Sequence, residues 1–399
     1  MGVHDTGPRA EDPAVPDVFS PGRIGPLTLR NRVVKAATFE GMTEGALVTD
    51  RLVDFHRRHA AGGVGMTTVA YCAVAPEGRT QADQIWMRPE AVPGLRRLTD
   101  AVHAEGAAVS AQLGHAGPVA DGASNGMPSL GPSARFNPLS LRMTRRATES
   151  DIDRIVADHG TAAGLAAEAG FDAVEIHLGH NYFASAFLSP RVNRRGDSYG
   201  GGLANRAKVA RAVARAVRDA VGDRLAILAK LNMSDGVRGG FRTPESLQVA
   251  AWLEADGTVD ALELTAGSSL LNPMYLFRGE APVREFADAF PQPQRLGIRA
   301  LGKAVLREYP YQDAYLLDKA RLFRAELGLP LVLLGGITDR AAMDLAMAEG
   351  FSFVAMARAL LREPDLVGRI RRDAATPSLC IHCNKCMPTH FTGTRCVLV

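Results

Sequence analysis

The stretch Thr148-Glu-Ser-Asp151 through Gly170-Phe-Asp-Ala173-Val-Glu-Ile-His177 decides the fold. Thr148-Glu-Ser-Asp151 is a capping box, and Ile152, Ile155, Val156 and His159 then fall on one helical face. Gly170 ends the helix. Ala173–His177 follows, short and apolar on both faces, as a parallel strand covered by helices should be. The same alternation recurs eight times, with strands predicted at Arg32–Ala37, Val64–Val74, Ala107–Gln112, Ala173–His177, Leu225–Leu231, Ala261–Leu264, Leu331–Gly335 and Phe353–Ala357. Between them, Thr243-Pro244 starts one helix and Gly257 follows its end. Val209, Val213, Val217 and Val221 form an apolar stripe suited to packing on a barrel. Eight βα repeats predict an α/β fold, a TIM (β/α)8 barrel over residues 17–373. A doubly wound sheet is the alternative, but no Gly-x-Gly-x-x-Gly follows an early strand.

Two long βα-loop insertions interrupt the pattern, Gly117–Arg146 and Ser268–Pro330. The second contains a helical segment near Tyr311–Leu327. Both leave carboxyl ends of strands, where walls and lids of active sites form. Residues 1–16 read as a flexible leader, and residues 374–399 as a short cysteine-rich C-terminal tail. The chain has 399 residues, 46% of them apolar, and a net charge of +3. A near-neutral balance with scattered arginines points to no nucleic acid and no membrane as partner. No apolar run spans a bilayer, and the N-terminus lacks the apolar core of a signal peptide. The expected location is cytoplasmic.

Strand Ala173–His177 ends in His177-Leu-Gly-His180-Asn-Tyr182. A strand that dry ends in two imidazoles and a phenol when they face a ligand. Two ring N–H groups can converge on one carbonyl-type oxygen, and a phenol beside them can give a proton. His177, His180 and Tyr182 are therefore the candidate catalytic set.

These residues, with Phe187-Leu-Ser-Pro190 and Asn193-Arg-Arg-Gly-Asp-Ser-Tyr-Gly-Gly201, resemble the signature of the Old Yellow Enzyme family of FMN-dependent ene-reductases and NADH:flavin oxidoreductases. The resemblance runs from about Asp17 to Arg372. It implies FMN as cofactor, NAD(P)H as reductant and a small unsaturated substrate, held by His177 and His180 and protonated by Tyr182. It also implies a homo-oligomer. Ala36, Ala37, Thr38 and Tyr71 would lie along the flavin ring. Gln112 and Lys230 would meet its pyrimidine edge, an amide supplying both donor and acceptor. Gly335, Gly336, Ala357 and Arg358 would cradle the phosphate, at the two loops where barrels often bind it. Lys230 stands where many members carry arginine, keeping the charge without the fork. Phe39 replaces the Thr or Cys that tunes the flavin potential in many ene-reductases, and Pro118 replaces a usual arginine.

Cys380, Cys383, Cys386 and Cys396 give a C-x2-C-x2-C-x9-C pattern. Such spacing suits zinc or a [4Fe–4S] cluster, and a degenerate site is the third reading. The run resembles the cluster-binding segment of the 2,4-dienoyl-CoA reductase and trimethylamine dehydrogenase branch. That branch implies an alternative activity, a flavin/iron–sulfur dehydrogenase of amine or dienoyl type passing electrons to a separate partner. Cys72 reads as a buried small residue near the flavin.

Overall fold

The computed structural model describes residues 15–137 and 140–399; most of the expected leader, residues 1–14, lies outside the described residues. Eight parallel strands close into a barrel. They are β1 Val33–Lys35, β2 Met66–Ala73, β3 Ala108–Gly114, β4 Ala173–Leu178, β5 Ala226–Asn232, β6 Ala261–Thr265, β7 Leu331–Leu334 and β8 Phe353–Met356. Neighbours in sequence are neighbours in the sheet, and β8 returns to pair with β1 through Val354↔Val33 and Met356↔Lys35. A helix follows each strand, for example Asp50–Ala61 after β1, Glu149–Glu168 after β3 and Leu203–Val221 after β4. The TIM barrel read from the alternation is the fold.

Inward positions alternate along each strand. Val34, Ala36, Met66, Ala173, Leu228, Ala261, Val332, Phe353 and Ala355 pack together inside the barrel. A hairpin of Gly22–Ile24 and Leu27–Leu29 adds Ile24 and Leu29 to this cluster. Its glycines lie against Phe353 and Asp260, at the amino ends of β8 and β6, so the hairpin closes the barrel floor. Burying those two side chains contributes about 1.5–3 kcal/mol each.

The insertion after β3 folds as a small sheet of Leu130–Gly131, Arg135–Asn137 and Arg142–Arg146. The insertion after β6 carries helices Met274–Phe277, Val283–Asp288, Gln294–Val305 and Leu317–Glu326. The helix expected near Tyr311–Leu327 starts later, at Leu317, because Ala314 has φ +48° and its N–H donates to the Gly336 carbonyl at 3.0 Å. The cysteine-rich tail folds back onto the loop after β1. Thr394 N–H donates to the Glu40 carbonyl at 2.7 Å, and its hydroxyl donates to the Phe39 carbonyl. Among the described residues no helix is long and apolar enough to cross a membrane.

Candidate active site

The residues after β4 are held in an uncommon backbone. His180 and Asn181 both take left-handed φ, +60° and +59°, a conformation that only surrounding contacts sustain for non-glycine residues. Asn181 Nδ2 donates to Asp235 Oδ1 at 3.2 Å, and the Ser268 hydroxyl donates to Asn181 Oδ1. Asp235 also accepts from Ser189 and Asn232 and from the Phe241 N–H. This anchor turns His180 back towards His177.

The two imidazoles bond to each other, His177 Nε2 to His180 Nδ1 at 3.0 Å, and His180 Nε2 meets Thr265 Oγ1 at 3.0 Å. The spacing suggested two free donors converging on one oxygen; the arrangement is instead a chain, Thr265–His180–His177. Its outer end, His177 Nδ1, is buried without a partner among the described residues. When the Thr265 hydroxyl donates to His180, the chain runs one way and leaves His177 Nδ1–H as a donor to whatever lies beyond. Burial holds His177 well below the ordinary imidazole range and His180 down to about 3, with the Lys230 charge acting the same way. Both rings are therefore neutral.

Tyr182 packs its ring 4.2 Å from that of His177 and 5.4 Å, edge-on, from that of Tyr71. Ala37 and Phe39 from the loop after β1 join the same apolar group. Burial pushes the Tyr182 phenol up, so it keeps its proton. The Tyr71 hydroxyl is already committed to the Gly78 carbonyl at 2.5 Å. Thus Ala37, Tyr71, His177 and Tyr182, picked from distant stretches of sequence, meet in one place.

Gln112 and Lys230 meet in a second layer. Gln112 Nε2 donates to Glu175 Oε1 at 2.6 Å, and Lys230 Nζ lies 3.3 Å from Glu175 Oε2 and in contact with Glu263 Oε1. Both glutamates went unread in the sequence. The signal was a charged residue inside each of two otherwise apolar strands, Ala173-Val-Glu-Ile and Ala261-Leu-Glu-Leu. At the end of β1, Lys35 donates to Thr38 Oγ1 at 2.9 Å and to Glu40 at 3.1 Å, which fixes the loop that follows Ala36.

Gly335 and Gly336 have φ +98° and +77°. A Cβ at Gly336 would strike the Ala314 nitrogen, so the loop after β7 lies backbone-to-backbone on the β6 insertion. Arg358 begins a short helix after Ala357, at the mouth of β8. Its Nη1 donates to the Arg278 carbonyl at 2.9 Å and to Asn384, so the arginine also touches the tail. Backbone N–H groups at two glycines and a guanidinium at the carboxyl ends of β7 and β8 suit a phosphate. An amide and a lysine suit the polar edge of a flat ring. The donor set fits FMN.

Cys380, Cys383, Cys386 and Cys396 line one small cavity with Arg358, Arg362, Ile381 and Val397. Burial pushes the Cys386 thiol up to about 12, and the other three thiols add to it while Arg358 opposes. Among the described residues no three such ligands stand close enough round one point to hold a single metal ion. Cys72 is fully buried in the main core.

The sequence profile of the NADH:flavin oxidoreductase / NADH oxidase family matches residues 17–268. A 4,4'-dithiodibutanoate disulfide reductase of Rhodococcus erythropolis is 52% identical over 383 residues, covering 96% of this chain and 95% of that protein. A metal reductase of Desulforamulus reducens is 33% identical over 92% of this chain, which spans only 51% of that longer protein. An Old Yellow Enzyme homologue from Zymomonas mobilis superposes with a TM-score of 0.72 at 22% identity, over 92% of this chain and 96% of that one. With a profile match over more than half its length and a half-identical relative of nearly the same length, the chain belongs to the NADH:flavin oxidoreductase / NADH oxidase family.

Proposed function

We propose that the chain holds FMN across the carboxyl-end mouth of the barrel, takes electrons from NAD(P)H, and reduces the C=C bond of an α,β-unsaturated carbonyl compound or a similarly electron-poor substrate. The family is FMN-dependent and uses a nicotinamide reductant. The observation that carries the reading is the meeting of a protonated phenol, Tyr182, with a neutral imidazole, His177, whose outer nitrogen has no partner among the described residues.

Ala36, Ala37, Thr38 and Tyr71 would line the ring, Gln112 and Lys230 its pyrimidine edge, and Gly335, Gly336, Ala357 and Arg358 the phosphate. The bound flavin supplies the hydride. His177, backed by His180 and Thr265, holds the substrate oxygen and stabilises the negative charge that develops there. Tyr182 gives its proton to the α-carbon. Ala37, Phe39 and Tyr71 keep water from that proton.

A second substrate class is favoured by one specific finding, the 52% identity to a protein named for the disulfide 4,4'-dithiodibutanoate. An organic disulfide needs the same supply, two electrons and two protons to give two thiols, and the same donors can protonate the departing thiolate. The tail's four cysteines, which line one cavity without closing on a single metal ion, are the ligand set that a [4Fe–4S] cluster or zinc would need. A cluster there supplies one-electron transfer, the chemistry of the dehydrogenase alternative.

The test is anaerobic rapid mixing of the wild type and Tyr182→Phe. The variant should slow reoxidation of reduced protein by an enone about 10²–10⁴-fold and change reduction by NAD(P)H less than about twofold. Equal loss in both half-reactions would remove Tyr182 from the proton-donor role. Running dithiodibutanoate beside the enone decides between substrate classes.

A further inference from the structure

Glu175, Lys230 and Glu263 form a charged layer inside the barrel, one inward position below His177 and Thr265. Lys230 Nζ lies between the carboxyls, 3.3 Å from Glu175 Oε2 and in contact with Glu263 Oε1. The lysine side chain is 4% exposed and each carboxyl 1%. No donor among the described residues reaches Glu263 Oε2, and the two carboxyls meet closely enough to share a hydrogen bond once one of them is protonated. Two carboxylates against one ammonium would leave a net negative charge with no solvent to screen it. One proton on the pair restores neutrality, the usual outcome for carboxyls sharing a site. Burial, reinforced by Glu263, pushes Glu175 up to about 8, while Lys230 pulls the other way.

Several other titratable groups stand around the layer, Glu40 among them: burial pushes its carboxyl up to about 7, against the pull of Lys35. From β3 comes the Gln112 amide, which does not titrate. From β4 and the turn after it come His177 and His180, both held neutral. From the end of β1 comes Lys35, close enough for its charge to be felt by the layer. Of these groups only Glu40 titrates near neutral pH, and glutamine variants of Glu175 and Glu263 separate the layer's proton from the one Glu40 can bind.

We propose that Glu175 and Glu263 are a proton store that loads when the flavin is reduced, with Lys230 as the positioning residue that links the two. This rests on FMN lying against Gln112 and Lys230. Hydride arriving from the nicotinamide adds negative charge to the flavin. The Lys230 ammonium turns towards that charge and compensates the carboxyls less. Where the pair has already given up its shared proton, it then takes one back from bulk water. The bond made is a carboxyl O–H, the electrons all come from the nicotinamide, and the proton returns to water when the substrate removes the hydride.

The experiment is a redox titration of the FMN-loaded protein across pH, with the infrared difference spectrum between oxidised and reduced protein. At the alkaline pH values where the pair is unloaded in the oxidised protein, the pH slope of the midpoint potential should double, from one to two protons taken up with two electrons. The infrared difference should show a carboxylic-acid band appearing on reduction. Glu175→Gln and Glu263→Gln should each return the slope to one proton and erase the band. A wild-type slope of one proton throughout, with no such band, overturns the inference, as does either glutamine variant that keeps the doubled slope. Should both variants fail to fold, the wild-type slope and band decide alone. Protein that takes up no FMN overturns the flavin reading itself; protein that takes up FMN and keeps the single slope overturns only the proton store.

Discussion

Replacing Lys230 by methionine tests the buried layer through stability. Among the described residues the ammonium is the one cation in contact with Glu263, and it also meets Glu175. Removing one member of a buried pair costs about 3–5 kcal/mol, because the orphaned charge has neither water nor counter-ion. The loss should depend on pH with a definite sign. Burial beside Glu263 already holds Glu175 above the ordinary carboxylate range in the folded protein, and losing Lys230 pushes it further up. A folded state that binds more protons than the unfolded one loses stability as pH rises above the unfolded value. The deficit of Lys230→Met should therefore reach about 3–5 kcal/mol near pH 8 and shrink towards pH 5, where the carboxyls are free to protonate. Urea denaturation at both pH values, with flavin content recorded, measures it. Adding Glu263→Gln should recover most of the loss, since the uncompensated charge is gone. A deficit under about 1 kcal/mol at pH 8, or one that grows on acidification, would refute the buried ion pair.

Other outcomes follow from single contacts. Thr265→Val removes the partner of His180 Nε2, and should lower substrate turnover about tenfold, the worth of one hydrogen bond to a reacting group, with NAD(P)H oxidation by the flavin unchanged. Gly41→Ala places a Cβ on the His390 carbonyl at a φ of +59°. It should release the tail from the β1 loop, seen as faster proteolysis after residue 374 while the barrel remains intact. Cys386→Ser should abolish bound iron and sulfide if the cavity holds a cluster, and leave the flavin spectrum in place; iron retained in full would argue against the four-cysteine set.

The barrel was legible because each of its strands is short, buried on both faces and followed by a helix. Even the Val64–Val74 run, longer than the strand it contains, overlaps Met66–Ala73. The floor hairpin was not, since three-residue strands such as Gly22–Ile24 have no measurable period and their purpose lies in packing on Phe353. The same applies to the short helices Met274–Phe277 and Val283–Asp288. In the site, His177, His180 and Tyr182 stood out because polar groups leave an apolar strand together. Their hydrogen-bond order did not, because Thr265 comes from β6, 85 residues away. Glu175 and Glu263 were visible as charges within apolar strands, but only the closure of the barrel sets them on either side of Lys230.

The most direct test of the flavin account is the visible spectrum of the purified chain before and after anaerobic NAD(P)H, followed by addition of an enone or dithiodibutanoate. The account predicts flavin bands at one FMN per chain that bleach with the nicotinamide and return with the substrate. A chain that takes up no FMN on reconstitution, or whose bound flavin stays oxidised in excess NADH and NADPH, would contradict it.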